Sequence, residues 1–386
     1  MTAVATRPSR TALPRGGRHR LRVGELRTET GGLLPDVELT YETWGTLAAD
    51  GSNAVLVLHA LTGDAHVAAH EEDPTPGWWD ALVGPGRAVD TDRWFVVAPA
   101  MIGGCHGSTG PSTPAPDGRP WGSRFPFLTL RDAVEAERRL ADHLGIGAWR
   151  AVIGGSMGGA RALEWAATHP ARVAGVGVLA ATAASSADQI AWGQAQTAAI
   201  RLDPDFQGGD YYPGPGPVAG LGIARRIAHT TYRTAGELGQ RFGREPQGVE
   251  DPFGAVVGVP GGRGRYAVES YLDHQAAKLT DRFDANSYLV VTEALMGHDV
   301  GRGRGGVAAA LADYRGRAFV AAVDSDRLYL PAESEALAAA LPARPPVHTI
   351  TSPIGHDGFL TEYGQVADTL KPVSYTHLTL PTIYSV

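Results

Sequence analysis

RAVIGGSMGGARALEWAATHP (150–170) is the stretch that decides how this chain folds. An apolar, β-branched run leads into Gly154-Gly155-Ser156-Met157-Gly158-Gly159, and a helix-forming segment follows until Pro170. A strand that reverses into a helix within so few residues needs small neighbours on both sides of the turn. Such a turn lifts the serine hydroxyl clear of a sheet and leaves the Met157 N–H at a helix N-terminus, where it faces any developing negative charge. Glycine-rich strand–helix turns also bind phosphates. This one lacks the Lys-Ser/Thr ending of a phosphate-binding loop and the spacing of a dinucleotide fingerprint. It reads as a nucleophile elbow, with Ser156 as the nucleophile.

Working outward, AVLVLHA (54–60), WFVVAPA (94–100) and VAGVGVLA (173–180) are near-continuous apolar runs, as expected of parallel strands covered on both faces. VELTYETW (37–44) alternates apolar and polar residues and predicts a half-exposed strand. LRDAVEAERRLADHLGI (130–146) has helical apolar spacing and is stopped by Gly145. Beyond about residue 183 the strand pattern gives way to helical segments at 187–201, 219–230, 234–242, 266–279, 284–296 and 305–314. It returns at RAFVAAVDSD (317–326) and VHTITS (347–352). The reading is therefore an α/β-hydrolase fold whose core spans residues 23–182 and 316–371, with a helical lid, residues 183–315, inserted between late strands.

That fold places its remaining catalytic groups in the chain order nucleophile, acid, histidine, each just beyond a strand. In AFVAAVDSDRLYLP (318–331), Asp326 is read as standing beyond the strand end, 170 residues after Ser156, whereas Asp324 is read as still in the strand or capping a turn. His356 follows 30 residues later, on a loop between Gly355 and Gly358. His229, His274 and His298 fall in the lid and have no such positional support. HALTGD (59–64) follows the strand at 54–58, where the second oxyanion N–H belongs; Leu61 is the residue expected to supply it. His59, His66 and His70 match no zinc spacing, so no metal is expected. Cys105, the only cysteine, has no elbow and no base, and is read as inert; no disulfide can form within the chain.

The whole chain has 386 residues and a formal charge of −7, an acidic balance unlike that of a nucleic-acid binder. No run of about 18 apolar residues suggests a membrane span. Residues 1–22 carry six arginines and no acid, without an apolar stretch behind them, and read as a disordered tail rather than a secretory signal. At the other end VSYTHLTLPTIYSV (373–386) has no charged residue and reads as a non-native tail. A cytoplasmic home fits this composition.

Several stretches together resemble the homoserine O-acetyltransferase family, in its actinobacterial form: HALTGDAHV (59–67), GGCHGSTGP (103–111), GSRFPFLT (122–129), IGGSMGG (153–159), GGDYY (208–212), TYRT (231–234), DSDRLYLP (324–331) and GHDGFL (355–360). The resemblance implies acyl transfer from acetyl-CoA, a co-substrate rather than a bound cofactor, to L-homoserine through an acetyl-Ser156. It implies that Arg225 holds the substrate carboxylate, with its neighbour Arg226 the competing candidate, and that Asp357 receives the substrate ammonium. It also implies a homodimer formed through the lid helices. Relatives that use succinyl-CoA tend to carry an arginine two positions after the triad aspartate; Leu328 stands there, which favours acetyl. Serine as acceptor and plain ester hydrolysis are the other readings that this pattern admits.

Overall fold

The computed structural model describes residues 17–256 and 261–374. In chain order the strands are β1 (Gly17–Arg27), β2 (Leu33–Trp44), β3 (Ala54–Leu58), β4 (Val83–Gly84), β5 (Val89–Asp90), β6 (Phe95–Pro99), β7 (Ala151–Gly155), β8 (Gly175–Leu179), β9 (Arg317–Val323) and β10 (Val347–Ile350). The helices are α1 (Leu130–Leu144), α2 (Met157–Thr168), α3 (Ala187–Arg201), α4 (Val218–Tyr232), α5 (Ala235–Phe242), α6 (Ala267–Thr280), α7 (Ala285–Met296), α8 (Val307–Leu311), α9 (Pro331–Ala340), α10 (Gly358–Thr361) and α11 (Tyr363–Ser374).

An eight-stranded sheet in the order β1-β2-β6-β3-β7-β8-β9-β10 forms the frame. From β6 to β10 all neighbours are parallel; β1 and β2 join antiparallel at one edge. The continuous apolar strands have a simple cause, since both faces are covered. Along β3, Ala54, Leu56 and Leu58 pack on one side with α1 and α2, while Val55 and Val57 pack on the other with Trp79, Phe359 and Val366. Thr129 and Asp132 cap α1 reciprocally, and Gly145 closes it in the left-handed region (φ 73°). Helices α3 to α8 lie between β8 and β9 in the chain, and residues from α3, α4 and α7 come over the C-terminal end of β7 beside Ser156. No described helix is long and apolar enough to cross a membrane.

The termini differ from the sequence reading. Residues 17–22, assigned above to a disordered tail, form the first half of β1. The basic run misled because its counter-charges stand on the neighbouring strand: Arg20 pairs with Glu38 at 3.3 Å and Arg22 with Asp36 at 3.5 Å. An edge strand tolerates such outward charges. Residues 1–16 lie outside the described residues. So does the segment 375–386 of the tail; residues 373–374 continue the backbone of α11.

Helix α2, which follows directly on Ser156, is anchored to α1 by a buried charge pair. Arg161 Nε donates to Glu137 Oε1 at 3.0 Å, and Trp165 Nε1 donates to Glu137 Oε2 at 2.7 Å. Arg161 and Glu137 are both essentially inaccessible to solvent. Breaking a buried pair from one side strands the other charge, so Glu137→Ala is expected to cost about 3–5 kcal/mol. Urea denaturation of the variant against the unmutated chain checks this, with a lowered midpoint and an unchanged slope as the expected outcome.

Candidate active site

Ser156 follows β7 directly and adopts φ 55°, ψ −127°, a conformation that costs a non-glycine residue about 1–3 kcal/mol. The surrounding chain over-determines it. Ser156 N–H donates to Leu179 O on β8 at 2.9 Å, and Ser156 O accepts from Ala160 N–H at 3.0 Å. The turn closes only because its flanks have no side chain. A Cβ on Gly154 would stand 2.3 Å from the Gly158 carbonyl carbon, and one on Gly158 would stand 2.1 Å from Leu58 O. Either contact is impossible without moving a central strand.

The structure brings Ser156, His356 and Asp326 together. His356 Nε2 lies 2.9 Å from Ser156 Oγ, and His356 Nδ1 lies 2.6 Å from Asp326 Oδ2. All three residues are buried. The other Asp326 oxygen, Oδ1, accepts from the N–H groups of Leu328 (2.8 Å) and Tyr329 (2.9 Å). The imidazole is gripped by rings: Tyr329 stacks on it at 5.0 Å and 25°, with Tyr232 and Phe359 at 5.7 and 5.4 Å. Burial alone favours the neutral ring, but the charge of Asp326 and its hydrogen bond outweigh this and hold the His356 pKa above its ordinary value. Asp324 has a different partner. Its Oδ1 accepts from Ser352 N–H at 3.0 Å, tying the end of β9 to the end of β10, and it is exposed.

Leu61 sits beside Ser156, and both line two pockets. His59 shapes the turn that carries Leu61: its Nδ1 donates to Ala60 O at 2.7 Å and its Nε2 accepts from Met101 N–H at 3.0 Å. Burial pushes its pKa well down, so it stays neutral. Across the turn, Met157 opens α2 immediately after Ser156. Among the described residues no acceptor is bonded to the N–H of Leu61 or of Met157.

The two pockets meet at Ser156 and differ in chemistry. One, of about 140 Å³, is lined by Arg225, His356 and Asp357 together with Leu61 and Thr62. The other is mostly apolar, with Trp192, Leu295, Met296 and Leu328 along it. Tyr232 borders both. Arg226 is drawn away, donating to Asp273 at 2.8 Å. Arg225 forms no ion pair among the described residues, its Nε is buried without a hydrogen-bond partner, and its guanidinium lies 5.9 Å from the Tyr232 ring centre. Burial raises the Asp357 pKa, while Arg233, His356 and Arg225 pull it back. Arg233 approaches Asp357 Oδ2 to 3.2 Å, as an ion pair without hydrogen-bond alignment. Sequence reasoning missed Arg233. It lies within TYRT (231–234), and nothing in its local pattern reveals that it faces a loop more than a hundred residues away.

The remaining candidates fall elsewhere. Cys105 lies against the Asp284 N–H, and burial pushes its thiol up to about 12, so it holds no thiolate near neutral pH. His229 bonds Tyr271 Oη at 3.0 Å, and His298 bonds Thr182 O at 3.1 Å. Glu42, His66 and His70 converge in a way that metal ligands can. Yet Glu42 Oε2 lies 2.9 Å from His66 Nδ1 and 3.3 Å from His70 Nε2. His66 Nε2 reaches Thr75 O at 2.8 Å, and His70 Nδ1 accepts from Asp73 N–H. With acceptors at both nitrogens His66 is suited to be an imidazolium, and the cluster satisfies itself as an ion pair that ties the loop after Leu61 to β2.

Residues 53–363 match the model of the alpha/beta hydrolase fold family. The chain is 59% identical over 372 residues to a homoserine O-acetyltransferase of Thermobifida fusca, covering 95% of this chain and 96% of that protein. It is 52% identical to a homoserine O-acetyltransferase of Nocardia farcinica, over 90% of each chain. Among solved structures, esterase E22 superposes with a TM-score of 0.84 at 26% identity, covering 93% of this chain and all of that one.

The hydrogen bonds separate the two aspartates sharply. Asp326→Asn is expected to lower turnover of an activated acetyl ester by about three to four orders of magnitude, because an amide holds the wrong imidazole tautomer. Asp324→Asn is expected to lower it less than about threefold, since only the link to Ser352 is touched. The base must be neutral, so a raised His356 pKa places the acidic limb of the unmutated pH–rate profile above the ordinary imidazole value. Activity is lost as pH falls through that limb, and in the residual activity of Asp326→Asn the limb moves to lower pH. Steady-state rates from pH 5 to 9 check all three outcomes.

Proposed function

Since this chain belongs to the homoserine O-acetyltransferases within the alpha/beta hydrolase fold family, we propose that Ser156 carries the acetyl group of acetyl-CoA to the γ-hydroxyl of L-homoserine, giving O-acetyl-L-homoserine for methionine biosynthesis. The observation that carries this reading is the unbroken Ser156–His356–Asp326 relay opening onto one charged and one apolar pocket. A free hydroxyl is a poor nucleophile until a positioned base takes its proton.

His356 Nε2 removes the Ser156 proton as Oγ attacks the thioester carbonyl carbon. Negative charge gathers on the carbonyl oxygen, where the N–H groups of Leu61 and Met157 serve as donors. As the tetrahedral centre collapses, the C–S bond breaks and His356 returns the proton to the departing thiolate. Homoserine then enters the charged pocket, its carboxylate on Arg225 and its ammonium on Asp357. A guanidinium suits a carboxylate because two parallel N–H groups match its two oxygens. His356 takes the γ-hydroxyl proton, the new C–O bond forms, and Ser156 regains its proton as the ester leaves. The engagement of Arg226 with Asp273 supports Arg225 as the carboxylate partner.

Leu328 lines the apolar pocket, which supports acetyl over succinyl as the group transferred. The adjacent cation, Arg327, is directed to Thr230 O at 3.4 Å. Burying an unpaired carboxylate costs several kcal/mol. Serine differs from homoserine by one methylene, which a pocket resolves by only about 1–3 kcal/mol. The proposal includes a cytoplasmic setting, where acetyl-CoA is available, and a homodimer formed through the helical insertion; exposed Leu202, Val218 and Ile223 on that insertion support it.

With acetyl-CoA alone, intact-mass and peptide analysis is expected to find a single acetyl adduct on Ser156 and none in Ser156→Ala. Continuous release of CoA thiol is expected to depend on added homoserine; homoserine-independent release at the same rate would mark a hydrolase, and an adduct on Cys105 would overturn the assignment of the nucleophile. Comparing kcat/KM for acetyl-CoA and succinyl-CoA, the unmutated enzyme is expected to prefer acetyl, and Leu328→Arg to narrow or reverse that preference.

A further inference from the structure

The end of α4 and the segment joining it to α5 are bonded to the two loops that carry Asp326 and His356. Thr234 N–H donates to Ile354 O at 3.1 Å, and Thr234 Oγ1 donates to Pro353 O at 2.6 Å. One residue earlier, Arg233 reaches Asp357. Earlier again, the Tyr232 ring lies against His356, and Thr230 O accepts from Arg327 next to Asp326. Gly355, at φ 96°, allows this approach: a Cβ there would stand 2.8 Å from Tyr232 O. The His356 loop is thus pressed against a piece of the helical insertion, between residues distant in sequence.

The Thr234 hydroxyl is the hinge pin of this contact because it works in both directions. While donating to Pro353 O, the same oxygen accepts from Glu237 N–H at 2.9 Å, capping the N-terminus of α5. A hydroxyl has one proton to give and lone pairs to receive, so it can join the helix start to the loop, which an apolar residue of equal shape cannot. We infer that Thr234 is a positioning residue for catalysis, its hydroxyl fixing the His356 loop to the start of α5 so that the imidazole keeps its register between Ser156 and Asp326.

This rests on His356 being the general base. It makes the insertion part of the catalytic frame at this point rather than a cover over it. The consequence is specific. Loosening Pro353 and Ile354 shifts His356 without removing any group that contacts either substrate. Misplacement of a reacting group by about 1 Å costs on the order of a hundredfold in rate.

The test compares Thr234→Val, Thr234→Ala and Thr234→Ser in the full chain with acetyl-CoA and homoserine. In Thr234→Val and Thr234→Ala, kcat is expected to fall about 10- to 100-fold, with KM for homoserine within about twofold and the low-field proton resonance of the His356–Asp326 hydrogen bond broadened or lost. Thr234→Ser keeps the hydroxyl and is expected to stay within about threefold of the unmutated rate, with that resonance intact. Unmutated kcat in Thr234→Ala, a serine variant as slow as the alanine variant, or a loss confined to KM would each overturn the inference. If Thr234→Val fails to fold, the alanine and serine pair still decides the matter. Ser156→Ala and His356→Ala, assayed alongside, must both abolish acetyl transfer; should they not, the reading of the triad has failed, independently of Thr234.

Discussion

Everything at this site depends on holding Ser156 in a backbone conformation that a serine does not favour. The strain of about 1–3 kcal/mol is offset by regular structure on both sides. Upstream lies β7, paired with β3 and β8 in the middle of the sheet; downstream lies α2, whose first turn is packed against β3. Neither can relax separately, because the missing side chains at Gly154 and Gly158 let helix, turn and strand touch backbone to backbone. The same geometry leaves the Met157 N–H at the helix start without an acceptor among the described residues. A strained serine and an unpaired N–H donor therefore come from one turn, and His356 and Leu61 have a fixed point to be arranged around.

That turn is also why so much could be read from the sequence. A contiguous motif carries its own geometry, so Ser156 and Met157 are legible in a dozen letters, and the apolar runs around them give the parallel sheet because both faces are buried. Asp326 and His356 are legible by their place after late strands, and in the structure His356 lies between Ser156 and Asp326, bonded to each. What stayed hidden depends on contacts between distant segments. The arginines of residues 17–22 looked like a solvated tail because their partners, Asp36 and Glu38, stand on another strand. Arg225 and Arg226 are adjacent in a helix, and only the position of Asp273 tells which faces outward. The bonds from Thr234 to Pro353 and Ile354 leave no local trace at all. Threonine before a helix reads simply as a cap, which it also is.

The likeness to an esterase raises the question of what would separate transfer from hydrolysis at a Ser156–His356–Asp326 site. Water, at about 55 M, competes for any acyl-serine, and an alcohol wins only when it is held in place and water is not. Two features bear on this. One pocket beside Ser156 is mostly apolar, with Trp192, Leu295 and Met296 along it, although Gln189, Gln196 and Thr292 also line it. The charged pocket presents Arg225, whose buried Nε has no hydrogen-bond partner among the described residues, and Asp357, whose carboxylate form is disfavoured by burial. A buried donor left unsatisfied costs about 1–3 kcal/mol. A carboxylate at Arg225 would relieve that penalty, and an ammonium at Asp357 would add to the partial compensation Arg233 already gives it, whereas a water molecule near Ser156 does neither. An amino acid bound in this way, as proposed, would bring its hydroxyl to Ser156 already oriented. On the proposed function, selectivity for transfer would come from the charged wall of the pocket, at Arg225 of the helical insertion and Asp357 of the His356 loop, two elements joined by the Thr234 hydrogen bonds.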